Sequence, residues 1–285
     1  MNTYAKLIEK FVSWAEASGE VKSVFVVGSR ARTDRPADEF SDLDLVMVVN
    51  NPEYFIQSTE WLKNIGKYWA SFIEGTAVGG GQERRVLFED ALDVDFAVFS
   101  EDAFKHAIET EDVQAVFKRG FRVLVDKIGM ADALPSQSAE RPVCPPPSEK
   151  DFLNLVNDFW YHTVWTTKKL QRGELWAAKM CVDNYMKWQL LRMIECHARA
   201  VNGQDYDTWH SGRFIDIWAE QRVREGLQGA FAHYDKKDMG RALLATMDLF
   251  RSLAVEAAEK SGFQYPDTAD ESTTGWVRKV LAELV

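Results

Sequence analysis

The fold is decided by residues 21–49, which read VKSVFVVGSRARTDRPADEFSDLDLVMVV. Their first seven residues are rich in β-branched side chains and end at a Gly-Ser pair, which predicts a buried strand that runs into a tight turn. A polar loop follows, and then a second apolar run begins with Asp42 and Asp44. Residues i and i+2 of a strand point to the same face, so these two carboxylates are expected to lie side by side.

The turn and the carboxylates together favour one kind of chemistry. Backbone N–H groups near Gly28 and the hydroxyl of Ser29 can hold phosphate oxygens. Two neighbouring carboxylates repel each other, and a divalent cation relieves the repulsion; Mg²⁺ suits carboxylate and phosphate ligands. Arg30 is expected to add positive charge toward a triphosphate. The pattern predicts metal-dependent nucleotidyl transfer.

A third carboxylate is available on a later hairpin. Residues 85–89 and 92–99 read as two strands joined by a turn at Asp90-Ala91. Asp93 and Asp95 share one face of the second strand, and the pattern allows either to be the third metal ligand.

Gly28-Ser29-Arg30, followed by Asp42 and Asp44, resembles the entry motif of the DNA polymerase beta-like nucleotidyltransferases. Residues 87–90 are similar to the corresponding segment of one of their families, the aminoglycoside 6-adenylyltransferases or streptomycin adenylyltransferases. Four later segments also resemble that family, so that the likeness reaches from the first strand to Pro266: Asp158-Phe159-Trp160, Val182-Asp183-Asn184-Tyr185, Leu190–Ile194, and Gly262 with Tyr265-Pro266.

This resemblance implies roles for particular residues. It favours Asp95 as the third ligand, so that Asp42, Asp44 and Asp95 hold two Mg²⁺ ions. It implies ATP as co-substrate, with Arg213 a second source of positive charge. It also implies a cationic aminoglycoside as acceptor, the 6-hydroxyl of streptomycin in particular, and hence antibiotic resistance.

An attacking alcohol must lose its proton, and a carboxylate within hydrogen-bond reach can take it. Asp183 is the predicted general base, because it lies where the helical half is similar to the family. A surface ion pair with Lys187, four residues on, is the alternative interpretation. Asp158, Glu89 and Glu83 are the other candidates for the base.

The composition and net charge indicate which kinds of partner the protein can bind. The 285 residues carry a net charge of −10, with 44 acidic against 34 basic side chains, and no Lys/Arg-rich run that would hold nucleic acid. An acidic cleft would attract a polycationic small molecule, although solubility explains the same charge. No signal peptide or long apolar run is evident, so we expect a cytoplasmic protein without membrane contact, as a monomer or small homo-oligomer. The 3 cysteines and 5 histidines have neither disulfide-framework nor zinc-site spacing.

The chain is expected to divide at a Pro-rich linker over residues 135–148. We predict an α+β fold: a nucleotidyltransferase domain over 1–134 with a small mixed β-sheet, then a helical bundle over 149–285 that binds the acceptor. Helices are predicted over residues 3–18, 52–74, 101–109, 148–171, 174–200, 213–226 and 238–260, with a short strand over 121–125.

Two other functions fit parts of the pattern. A nucleotidyltransferase that adenylylates a protein, as in a toxin–antitoxin pair, would need the same carboxylates. A catalytically silent nucleotide-binding module would not need these carboxylates. The resemblance in the helical half argues against the first, and the three intact carboxylates argue against the second.

Overall fold

The computed structural model describes residues 3–32, 36–138, 146–209 and 211–282. The chain separates into two compact units, residues 1–142 and 143–285. The first combines a mixed sheet with helices and the second is helical, which confirms the predicted α+β fold class. The finer domain bounds stay predictions, because part of the proposed linker, with Cys144, lies outside the described residues.

The first unit is built on a six-stranded sheet with the order β3-β4-β5-β2-β1-β6. β2 runs parallel to β5, and every other neighbouring pair is antiparallel. The strands are β1 (Val21–Val27), β2 (Leu43–Val49), β3 (Tyr68–Gly75), β4 (Gln82–Phe88), β5 (Leu92–Phe99) and β6 (Arg122–Asp126). The two predicted strands around the Gly-Ser turn and the predicted hairpin are confirmed.

Helices cover both faces of this sheet. They are α1 (Thr3–Ala17), α2 (Pro52–Gln57), α3 (Glu101–Ala107) and α4 (Glu111–Arg119). Side chains alternate along each strand, so Leu45 and Met47 of β2 pack in the core that includes α1 and α2, while Val46 and Val48 pack with α3 and α4. Asp44 therefore points to the α3–α4 side of the sheet.

The predicted helix over residues 52–74 is wrong. α2 ends at Gln57, a 3₁₀ turn covers Glu60–Asn64, and Tyr68–Gly75 form β3 at the edge of the sheet. The apolar spacing did not reflect one buried helix face. Trp61 and Leu62 are buried but lie in the 3₁₀ turn, whereas Trp69 lies in β3 and is exposed. The short helix α4 was not predicted.

The second unit contains seven helices among its described residues: α5 (Glu149–Gln171), α6 (Leu175–Met180), α7 (Met186–Asn202), α8 (Ile215–Trp218), α9 (Gln221–Ala230), α10 (Lys236–Ser261) and α11 (Asp267–Ala282). The Ser148 side chain caps α5 by accepting from the Asp151 N–H, and Gly262 ends α10 in the left-handed conformation. The core includes the stacked rings of Phe159 and Phe250, whose centroids are 3.6 Å apart.

Two of the predicted helices differ from those found. The helix predicted over 213–226 is two helices, because Ala219 is extended and separates α8 from α9. The helix predicted over 174–200 contains one π-helical turn, Cys181–Tyr185, between α6 and α7. α11 was not predicted.

Within the described residues, no helix is both long and apolar enough to cross a membrane. The cellular location stays a prediction.

Candidate active site

Three carboxylates meet on the α3–α4 side of the sheet. Oxygens of Asp42, Asp44 and Asp95 all lie within 4.8 Å of one another. The parallel pairing of β2 with β5 places Asp44 directly opposite Asp95, and Asp42 lies just before β2 on the same side. Hard oxygen donors at this spacing fit Mg²⁺. Asp93, the other candidate, is outside this group among the described residues.

The Gly-Ser turn lies beside these carboxylates because β1 pairs with β2, with Val27 opposite Asp44. Gly28 has a φ of +67°, and a Cβ at this position would overlap Asp44 Oδ2 and lie 2.9 Å from its Cγ. Only glycine allows so close an approach. The adjacent Ser29 Oγ is buried and has no hydrogen-bond partner among the described residues. A phosphate oxygen bound at the carboxylate group would satisfy that hydroxyl, so the residues present fit a metal-bound nucleotide.

Asp95 is held by an arginine from the neighbouring strand. The Arg85 Nε donates to Asp95 Oδ1 at 2.7 Å, and its Nη2 lies 2.6 Å from Oδ2. Its Nη1 lies 3.1 Å from Glu74 Oε1. Burial raises the pKa of Asp95, whose exposure is 8%, and the Arg85 guanidinium opposes that rise. The fork-to-fork pair fixes the orientation of the carboxylate.

Glu83 lies on the same face, since it is two residues before Arg85 on β4. Burial and then the charge of Asp95 raise the pKa of Glu83 to about 7, against the pull of Arg85. Burial also raises the pKa of Asp93. The carboxylates of Asp42, Asp44 and Asp95 lie together on this face and only Asp95 is paired with Arg85, so a bound cation would be stabilised here.

Arg30 has a structural task at this site. Its guanidinium donates to the backbone carbonyls of Asp42, at 2.8 Å, and Ser41, at 2.6 Å. It also stacks 3.6 Å over the ring of Tyr4, whose hydroxyl accepts from the Asp93 N–H at 3.1 Å. Arg30 therefore holds the segment that carries Asp42. Its predicted contact with a triphosphate stays a prediction.

Arg213 and Asp183 lie in the second unit. Arg213 precedes α8, and its carbonyl accepts from the Trp218 indole at 2.8 Å. Asp183 lies in the π-helical turn, and its side chain is 15% exposed. Its Oδ2 is paired with Lys179 and accepts from the Ala232 N–H at 3.2 Å.

The alternative interpretation of Asp183, a surface ion pair with Lys187, holds only in part, because the pair is long and is largely removed from the surface. Lys187 Nζ is 4.0 Å from Asp183 Oδ1, the Lys187 side chain is 9% exposed, and the closer partner of Asp183 is Lys179. Oδ1 is buried and has no hydrogen-bond partner within the described part of the chain. The π-helical turn that buries this carboxylate leaves one of its oxygens open to a donor.

The other base candidates, Asp158 and Glu89, differ in how many hydrogen bonds and ion pairs their carboxylates already make. Asp158 accepts from the Tyr185 hydroxyl at 2.9 Å and from the Gln189 amide at 2.5 Å, and it lies 2.8 Å from His162 Nδ1. Glu89 is largely exposed, 3.9 Å from Lys67 Nζ.

The family model described as "Streptomycin adenylyltransferase" matches residues 1–280. The chain belongs to this family. It is 22% identical over 302 residues to an aminoglycoside 6-adenylyltransferase of Bacillus subtilis (strain 168), with 100% of both chains covered. It is also 22% identical to one of Campylobacter jejuni, over 97% of this chain and 95% of the other. A crystal structure of an aminoglycoside 6-adenyltransferase from Bacillus subtilis superposes with a TM-score of 0.44 at 20% identity, covering 98% and 99% of the two chains.

Arg85 of this family member's site was not predicted from the sequence, because the register of the β4–β5 hairpin differs from the one that a two-residue turn gives. A two-residue turn at Asp90-Ala91 would place Arg85 opposite Phe96. The loop has three residues, Glu89–Ala91, with Asp90 and Ala91 in left-handed conformation, and Arg85 lies opposite Asp95. Loop length sets register, and opposite charges at 85 and 95 were the available signal.

Proposed function

We propose that this chain transfers AMP from ATP to a hydroxyl of an aminoglycoside and releases pyrophosphate. The observation that carries the proposal is the meeting of Asp42, Asp44 and Asp95 beside the unpartnered Ser29 hydroxyl. The relatives, named aminoglycoside 6-adenylyltransferases, support the acceptor class. The finer proposal is the 6-hydroxyl of streptomycin, with resistance as the result.

The three carboxylates are the proposed ligands of two Mg²⁺ ions, which supply charge neutralisation and alignment of the triphosphate when bound. Arg85 holds Asp95 in place for this task. The turn at Gly28 and the Ser29 hydroxyl hold the β- and γ-phosphates, with Arg30 and Arg213 as sources of added positive charge.

In the transfer, the acceptor oxygen forms a bond to the α-phosphorus and the bond from that phosphorus to the bridging oxygen breaks. Pyrophosphate leaves with the electron pair, and the hydroxyl proton passes to a carboxylate. We propose Asp183 as that base, since its Oδ1 accepts no hydrogen bond from the described residues. Glu83 is the first alternative because it shares the face of the metal ligands.

A pair of variants tests the base. Asp183→Asn keeps the shape of the side chain and should lower kcat by about 10²–10⁴-fold, with a flattened acid limb of the pH–rate profile. Glu83→Gln is the matched change in the other unit. Turnover of Asp183→Asn within about threefold of wild type, with an unchanged profile, would pass the role to Glu83 and then to Asp158 or Glu89.

The reaction class is tested by pyrophosphate release across a panel of aminoglycosides with each nucleoside triphosphate. Release should require an aminoglycoside and ATP, and Asp95→Asn should abolish it. Release that needs a protein acceptor instead would favour the toxin–antitoxin alternative. The absence of release under every combination would favour the silent binding module.

A further inference from the structure

Phe40 is the most exposed large apolar side chain of the described residues, at 89%. It lies two residues before the proposed metal ligand Asp42, so the two Cα atoms are at most about 7 Å apart. Single exposed rings are common on protein surfaces and need no function. What distinguishes this ring is the turn that carries it.

Hydrogen bonds between its ends close the turn from Asp38 to Ser41. Asp38 Oδ1 accepts from the Phe40 N–H at 3.0 Å and from the Ser41 hydroxyl at 2.9 Å, while Ser41 Oγ accepts from the Asp38 N–H at 3.0 Å. The Ser41 hydroxyl, followed by the Phe40 N–H, lowers the pKa of Asp38. The carboxylate that closes the turn is therefore ionised at neutral pH, and the turn holds the phenyl ring out in solvent.

The same turn is attached to both parts of the proposed nucleotide site. The Ala37 N–H donates to the Ser29 carbonyl at 3.0 Å, next to the hydroxyl that fits a phosphate oxygen. The Arg30 guanidinium donates to the backbone carbonyls of Ser41 and Asp42. The phenyl ring is therefore held in place relative to the phosphate turn and to the carboxylates.

The arrangement of ATP in the proposed function decides which part of the nucleotide is nearest this ring. There the β- and γ-phosphates lie at Gly28 and Ser29 and the α-phosphate lies at the carboxylates, so the nucleoside extends from the carboxylate group. The segment that carries Asp42 also carries Phe40, and a nucleoside that extends along this segment brings its base to the ring. An aromatic base offers a flat face that stacks on a phenyl ring, which the saturated rings of an aminoglycoside lack.

We propose that Phe40 stacks on the base of the bound nucleotide. The inference rests on the proposed function, since it takes the phosphates to lie at the Gly28-Ser29 turn. Every nucleobase has an aromatic face, so stacking adds affinity without selecting adenine. Phe40 thus contributes to the affinity for ATP and for GTP alike, and a preference for ATP must come from other contacts.

Two ligands separate stacking from phosphate binding, by isothermal titration of the full chain with Mg²⁺ and without an acceptor. They are ATP and inorganic tripolyphosphate, which has the three phosphates and no base. Phe40→Ala should weaken ATP binding by about tenfold or more and leave the affinity for tripolyphosphate within about twofold of wild type. The affinity for GTP should fall by the same factor as that for ATP. Phe40→Trp keeps an aromatic face and should bind ATP at least as tightly as the unaltered chain.

Trp69→Ala is the matched control, because Trp69 is another exposed ring of the same unit, at 61%, and lies on β3 instead of this turn. It should leave the affinity for ATP unchanged. An unchanged affinity for ATP in Phe40→Ala, or equal losses for ATP and tripolyphosphate, would overturn the proposal. A raised KM for the aminoglycoside with unaltered ATP binding would assign the ring to a cation–π contact with the acceptor instead.

The same titrations distinguish failure of this inference from failure of the proposed function. Binding of ATP and tripolyphosphate by the unaltered chain, with no dependence on Phe40, would contradict the stacking alone. An unaltered chain that binds neither ligand would contradict the nucleotide site, and the stacking with it.

Discussion

Gly28→Ala should lower the rate of catalysis by about 10²-fold while the fold survives. An alanine with a φ of +67° costs about 1–2 kcal/mol of folding free energy, and the new Cβ would lie 2.9 Å from Asp44 Cγ. Non-bonded carbons prefer about 3.5–4.0 Å, so the carboxylate must retreat by roughly 1 Å. A displacement of that size in a catalytic group can lower the rate by about 10²-fold.

Gly80→Ala is the matched control for this prediction. Gly80 has a φ of +63°, and a Cβ at this position would have nothing within 4 Å, so its alanine variant carries the backbone strain without the clash. Urea unfolding should show a similar loss of stability in both variants. Pyrophosphate release at saturating Mg²⁺ should fall about 10²-fold in Gly28→Ala alone. Activity above a tenth of wild type in Gly28→Ala, or an equal fall in both variants, would refute the reasoning.

Three further changes have distinct expected outcomes. Asp44→Asn should lower turnover to below about a tenth of wild type with an unchanged urea midpoint, because the carboxylate binds metal; higher turnover at saturating Mg²⁺ would exclude that role. Arg30→Met removes the hydrogen bonds that hold the segment before β2. The affinity for Mn²⁺ at Asp42, measured by electron paramagnetic resonance, should therefore fall by about tenfold. An unchanged affinity would contradict the positioning role of Arg30. For Lys187, a lowered pKa of about 8 means that the folded chain binds its proton less tightly than the unfolded chain, so stability rises with pH from about 8 to about 10.5. Lys187→Met should lack that rise in urea unfolding at pH 8 and pH 10, and parallel curves for the two proteins would contradict it.

The residues that the sequence predicted best are those fixed by strand periodicity. Asp42 and Asp44 on one face follow from the period of two and the apolar runs that define β1 and β2. The same period placed Asp93 and Asp95 together on a later strand, and the choice of Asp95 came from the resemblance to the family. The Gly-Ser turn follows in the same way, because glycine directly after a buried strand indicates a tight turn. These local patterns needed no knowledge of distant contacts.

What the sequence could not supply depends on tertiary contacts. The hydrogen bonds from Arg30 to the backbone carbonyls of Ser41 and Asp42 join residues more than ten positions apart, so the positioning role of Arg30 could not be predicted from the sequence. The burial of Asp183 depends on one π-helical turn and on Ala232, far along the chain. The apolar residues over 52–74 have helical spacing, but they belong to a short helix, a turn and an edge strand. No single helical period runs through these three elements.

The central claim is tested most directly by the fate of the α-phosphate. ATP labelled with ³²P at the α-position, incubated with Mg²⁺, streptomycin and this chain, should transfer its label to streptomycin as AMP, with one pyrophosphate released for each labelled drug molecule. Asp95→Asn should leave the label in ATP. Label that stays in ATP with the unaltered chain and every aminoglycoside tried, or that appears on protein instead of drug, would contradict the account.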